Sequence, residues 1–195
     1  ATPEFYKAFF EEYESPSAFR ASFNGEITGG IGSSASAAVA ILGALHALTG
    51  KKINPKDIAE EAWDIEVNKL KMFGGKQDQY AASFGGVNLF EFGKEVKVTP
   101  IKIHDDVKNS TLLFHTGKNR KSSKIQEGFK DLDEDQKFYL GKIKELARES
   151  INVVQSGDIK EFGRLLNLGW KYKKESNKGV SNREIDELFF KAKNL

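Results

Sequence analysis

The sequence predicts an α+β chain, on three observations. Residues 19–27 alternate apolar and polar side chains as one face of a strand does; the middle of the chain holds three more strand-like runs; and from residue 133 onward the pattern is helical. The soft boundary between the strand-rich and helical parts falls near residues 104–110, giving expected domains 1–106 and 107–195.

The elements follow in order. "TPEFYKAFFEEYESPSAF" carries Phe5, Phe9 and Tyr13 at helical spacing and stops near Pro16. In "AFRASFNGEI", Phe19, Ala21, Phe23 and Ile27 alternate with Arg20, Ser22, Asn24 and Glu26, a period of two. A glycine turn then leads into an apolar helix over residues 35–48. Asn54-Pro55, with Asp57, starts a second helix running to about residue 70, because Asn caps, Pro suits the first helical position and Asp complements the dipole. "MFGGKQD" breaks it, "QDQYAASF" makes a short helix, and Gly85-Gly86 ends that helix before the strand "VNLFEF". "EVKVTPIKI" and "TLLFHTG" read as two further strands. Three helices close the chain: residues 133–155, residues 158–172, and one capped by Ser181 with Glu184 as its capping-box partner.

Composition excludes several classes. With 39% hydrophobic residues the chain can bury a core, unlike a disordered segment. A net charge of +2 with interleaved signs argues against nucleic acid or a membrane surface as the main partner. There is no cysteine, so no disulfide framework, thiolate nucleophile or Cys-ligated metal exists, which fits a cytoplasmic location. Residues 35–48 fall short of the roughly 20 apolar residues that span a bilayer, and they lack the flanks of a secretion signal.

"GEITGGIGSSASAAVA" is a strand–turn–helix sequence with Gly29, Gly30 and Gly32 in the turn. Glycines let the backbone approach an anion closely, and the first helical N–H groups point at it. Gly30-Ile31-Gly32-Ser33-Ser34-Ala35 also fits G-x-G-x-x-A, but the dinucleotide fold needs a second strand ending in an acid, and "KKINPKD" leads into another helix. No Lys-Ser or Lys-Thr pair closes the loop, which excludes a Walker A motif. A turn that serves only close strand–helix packing is the competing reading.

A second constellation lies at residues 64–92. Glu66 near the end of one helix and Asp78 beyond a glycine break can fold toward a common point, as phosphoryl transfer needs one carboxylate for a metal and one for the attacking hydroxyl. The plainer alternative pairs Glu66 with Lys69 or Lys71 on a solvated face and makes Asp78 a helix cap.

Together, "GGIGSSAS" and "GGKQDQYAASFGG" resemble the small-molecule kinase superfamily of galactokinase, homoserine kinase, mevalonate kinase and phosphomevalonate kinase. The longer "GKQDQYAASFGGVNLFEF" is most similar to the D-glycero-D-manno-heptose 7-phosphate kinases, and "LLFHTGKNRKSSKI" and "DIKEFGRLLNLGWKYKKES" resemble their C-terminal half. The resemblance implies a two-lobed α+β kinase, with an N-terminal β-α-β lobe holding the ATP loop and a ferredoxin-like C-terminal lobe. It implies that Gly29, Gly30, Gly32 and Ser33 wrap the ATP phosphates, that Ser34 and Glu66 hold Mg²⁺, and that Asp78 is the catalytic carboxylate. Arg120 matches a position for substrate phosphate. The implied partners are a nucleotide and a sugar or sugar phosphate, best D-glycero-D-manno-heptose 7-phosphate phosphorylated at its anomeric hydroxyl. A fucose or galactose 1-kinase and a non-catalytic nucleotide- or sugar-sensing member are the alternatives.

Three departures from the family pattern stand out. Glu26-Ile27-Thr28 replaces the proline that usually opens the ATP motif, Ile31 replaces the commoner leucine, and the family's N-terminal sugar-binding strand and C-terminal glycine-rich motif are both missing. The chain is thus expected to be incomplete at both ends. His46, His104 and His115 show no metal-ligand spacing, and Trp63 and Trp170 read as core or partial core.

Overall fold

A computed structural model describes residues 30–114, 125, 128–129 and 131–194. The first helix and first strand expected from the sequence, before residue 30, lie outside the described residues, as do Gly29, His115 and Arg120. The chain divides into two compact units, Ala1–Thr99 and Pro100–Leu195.

In the first unit, α1 (Ser33–Leu48) follows the glycine turn. Ala35, Ala38, Ile41, Leu42, Leu45 and His46 recur every three or four residues and are its buried face. That face packs on Ala62 and Ile65, with Val39, Ile58 and Leu70 at the margin, and this cluster is the unit's apolar core. His46, which shows no metal-ligand spacing in the sequence, is packed: it is 6% exposed, and its Nε2 lies 2.7 Å from Glu61 Oε2.

The second predicted helix is α2 (Pro55–Asp64), capped by the Asn54 side chain, which accepts from the Asp57 N–H. It does not continue as an α-helix to residue 70. A π-helical turn, Ile65–Lys69, takes over, with the Leu70 N–H donating to Ile65 O at 2.9 Å. Lys71 at φ 55° then reverses the chain, the one described non-glycine residue in the left-handed region. The short helix α3 (Gln77–Phe84) follows, closed by Gly85 at φ 62°.

Strands β1 (Asn88–Phe92) and β2 (Val96–Pro100) pair as a two-stranded sheet. The three residues between them are too few for a parallel crossover, so the pair is an antiparallel hairpin. Phe90 and Phe92, on one face of β1, meet Tyr80 edge-on at 5.8 and 5.4 Å between ring centroids, and Phe84 stacks on Tyr80 at 5.9 Å.

The second unit is helical among the described residues. A short helix α4 (Asp105–Asn109), not foreseen in the sequence, is capped by His104, whose Nδ1 accepts from the Asp106 N–H. Helix α5 (Glu134–Ser156) opens on a reciprocal Asp133–Gln136 capping box and ends at Gly157, φ 83°. Helix α6 (Ile159–Ser176) runs back along it: Gln136 hydrogen-bonds Ser176 O, Tyr139 meets Tyr172, and Glu149 pairs with Arg164. Partners advance along one helix as they recede along the other, so the two are antiparallel. A 3₁₀ turn, Lys178–Val180, precedes α7 (Arg183–Lys193).

Two sequence expectations are corrected here. Residues 111–114 form no strand, because no neighbouring strand among the described residues takes up their N–H and C=O groups. The cap of α7 is Asn182, whose side chain accepts from the Ile185 N–H, while the Ser181 hydroxyl instead donates to Asp186 Oδ1 at 2.9 Å. Asn caps at least as well as Ser, and it sits one residue closer to the helix.

Candidate active site

The site is assembled within the first unit from three segments. Gly30 and Gly32 adopt φ 91° and 70°, which no side chain would tolerate cheaply, and Gly32 is the N-cap of α1. No side chain caps this helix and no acid lies in its first turn, where Ser33, Ser34 and Ala35 stand. An uncapped N-terminus behind a glycine turn is the geometry that receives an anion.

Asp78, the second residue of α3, lies directly against this turn. A Cβ built on Gly32 would meet Asp78 Cβ and Cγ at 3.7 Å and Oδ2 at 3.9 Å. The loop and the carboxylate, separated by more than forty positions in the sequence, are therefore neighbours. Asp78 is exposed and caps nothing: Lys76 is the N-cap residue of α3, and no side-chain cap is made.

Glu66 sits in the π turn, only 6% exposed, and accepts a short hydrogen bond from Gln79 Nε2. Burial excludes the solvated-face reading of this residue. Burial also pushes its carboxyl above the ordinary glutamate range; the Asp78 charge pushes the same way, and the Gln79 hydrogen bond opposes both. Its second oxygen, Oε1, is buried with no hydrogen-bond partner among the described residues. π turns recur at functional sites, and here the extra residue per turn accompanies a buried carboxylate.

A set of contacts that the sequence did not disclose fixes the Asp78 segment. Lys76 Nζ pairs with Glu60 Oε2 at 2.5 Å and lies 4.3 Å above the Trp63 ring. Trp63 Nε1 donates to Gly74 O at 3.2 Å, and the Tyr80 hydroxyl donates to Glu60 Oε1 at 2.5 Å. Partial burial alone would raise the Glu60 carboxyl, but the hydrogen bonds from Lys76 and Tyr80 and the Lys76 charge hold it below its ordinary value. Residues on both sides of Asp78 are thus tied to α2. Trp63, read as partial core, also serves as the platform for this turn.

The structure therefore sets Asp78 beside Gly32, at the head of the helix whose first turn holds Ser33 and Ser34, and close enough to Glu66 for its charge to act on that carboxyl. Among the described residues, no three His, Asp or Glu side chains converge to hold a metal without help from a ligand.

Residues 4–86 match the family model described as GHMP kinases N terminal domain. The D-glycero-alpha-D-manno-heptose 7-phosphate kinase of Campylobacter jejuni is 32% identical over 177 residues, covering 82% of this chain and 50% of that protein. The L-fucokinase/L-fucose-1-P guanylyltransferase of Bacteroides fragilis is 25% identical over 171 residues, 82% of this chain and 18% of that protein. The crystal structure of a D-glycero-D-manno-heptose 1-phosphate kinase from Bacteroides thetaiotaomicron superposes with a TM-score of 0.63 at 30% identity, over 77% of this chain and 45% of that one. The chain thus spans half or less of each relative's length. The glycine turn set against Asp78, the α+β fold shared with a solved sugar kinase and the matched family model lead to one assignment: over residues 4–86 the chain carries a GHMP kinases N terminal domain.

Proposed function

We propose that this chain contributes the nucleotide-binding and catalytic part of a kinase that transfers the γ-phosphoryl group of ATP to the anomeric hydroxyl of a sugar phosphate, best D-glycero-D-manno-heptose 7-phosphate. The observation that carries the reading is the close approach of Asp78 to Gly32, which sets a carboxylate beside an uncapped helix N-terminus. The heptose 7-phosphate kinase relative supports the substrate class.

In this reading the backbone N–H groups of Gly29, Gly30, Gly32, Ser33 and Ser34 bind the ATP phosphates. Asp78 accepts the proton of the attacking hydroxyl as that oxygen bonds to the γ-phosphorus and the bond to the β-phosphate oxygen breaks, leaving ADP. The residues fit a hard divalent cation, because the buried Glu66 Oε1 has no hydrogen-bond partner among the described residues and Mg²⁺ takes one or two protein oxygens beside substrate phosphates. Glu66 and the Ser34 hydroxyl would hold it; when bound, Mg²⁺ neutralises phosphate charge during transfer. Arg120 is assigned to the substrate phosphate, residues 1–106 to the ATP-binding lobe and residues 107–195 to the C-terminal lobe. The setting is cytoplasmic.

The test is an ADP-release screen of the full-length chain over heptose 7-phosphate, fucose and galactose, with phosphorus NMR of the product. Release with heptose 7-phosphate and a new anomeric phosphate supports the reading. Selective turnover of fucose, the substrate named for the Bacteroides fragilis relative, would replace it with another sugar 1-kinase. Nucleotide binding without ADP release on any sugar would make the chain a sensor.

A further inference from the structure

Gln79 is buried at 4% exposure, follows Asp78 in α3 and reaches across to the π turn, where its amide Nε2 donates to Glu66 Oε2. Neither Glu66 Oε1 nor Gln79 Oε1, both buried, has a hydrogen-bond partner among the described residues. A buried acceptor without a donor is costly, and two of them on joined side chains mark a place that a cation and its water would satisfy. The donor type also matters. A lysine here would neutralise Glu66 and compete with a cation, and an acid would add a second buried negative charge; a neutral amide fixes one carboxylate oxygen and leaves the charge intact.

We infer that Gln79 is a positioning residue for Glu66, anchoring one carboxylate oxygen so that the other is held ready for the divalent cation of the phosphoryl-transfer site. The inference rests on the cation role of Glu66 proposed above. Its position supports it: Lys76 and Tyr80, both bonded to Glu60, fix the same turn of α3 on α2, so the amide is delivered from a rigid base. One residue pair thereby links the two carboxylate-bearing segments, with Asp78 and Gln79 adjacent in the chain and Glu66 opposite.

The test is Mn²⁺ binding to the full-length chain with a non-hydrolysable ATP analogue, followed by electron paramagnetic resonance and independent of turnover. Gln79→Met keeps the volume and removes the donor; Gln79→Asn keeps an amide that falls short, and stands in if the first variant does not fold. Either folded variant is expected to weaken Mn²⁺ binding about tenfold or more while its affinity for the metal-free analogue stays at the wild-type value. Glu66→Gln serves as the reference. Wild-type Mn²⁺ affinity in a folded Gln79 variant, with affinity lost in Glu66→Gln, overturns the inference and leaves the cation reading standing. Mn²⁺ binding indifferent to Glu66→Gln overturns both.

Discussion

Asp78 stands exposed in a run whose neighbours are tied down, which gives it a defined place without burying it. In the proposed role of general base it should contribute about 10²–10⁴-fold. Asp78→Asn is therefore expected to lower ADP release by that range and leave nucleotide affinity unchanged, as read by a coupled assay and a calorimetric titration. Gly32→Ala probes the loop. The new Cβ would sit at ordinary contact distance from Asp78, so the penalty comes from the left-handed φ of 70° and should be about 1–2 kcal/mol in urea unfolding. Glu66 has a pH signature. Its folded-state pKa is raised by burial, so the folded chain binds the proton more tightly than the unfolded chain. Its stability contribution is fully present below the unfolded value of about 4.3 and is lost as pH rises through the folded value. Glu66→Gln in metal-free protein should remove that fall from a pH series of unfolding midpoints. Glu66 and Asp78 were legible in the sequence because two carboxylates flank a glycine break. Gln79, Glu60 and Lys76 were not, since their partners lie 13 to 20 positions away and no local periodicity marks them.

Among the elements, the helices whose caps are chemically explicit followed the sequence most closely. Asn54 with Pro55 and Asp133 with Gln136 start α2 and α5 where the residue types require. Asn54→Ala should cost about 1 kcal/mol in chemical denaturation, the usual value of a lost cap. The π turn was hidden, because its sequence continues the apolar spacing of α2 and only the tertiary demand to bury Glu66 beside Gln79 distinguishes it. Of the strand expected over residues 111–117, the described part, residues 111–114, shows the opposite error: Leu112, Leu113 and Phe114 make a strand-like apolar run, but such a run alone supplies no ladder, and these three are exposed. Glu60 joins α2 to α3 and titrates in the opposite sense to Glu66. Its folded-state pKa is lowered, so its contribution is present above the unfolded value and is lost as pH falls through the folded one. Glu60→Gln should flatten the acid limb of stability and slow transfer by misplacing Asp78, with nucleotide binding retained.

For the molecule as a whole, the sequence specified the α+β class, and the core of the first unit formed on Ala38, Ile41, Leu42 and Leu45 of α1, inside the apolar run read as a helix. No helix among the described residues is long and apolar enough to cross a membrane. What joined the two motifs was the resemblance to sugar kinases, and the close approach of Asp78 to Gly32 gives that pairing a physical basis. The central claim is that this close approach sets up phosphoryl transfer to a sugar phosphate. A single-turnover measurement with γ-labelled ATP and heptose 7-phosphate, on the full-length chain and its Asp78→Asn variant, tests it most directly. Label moving to the sugar in the parent chain, and about a hundredfold or more slower in the variant, is the predicted result. Equal rates in the two proteins, or no transfer in the parent, would contradict it.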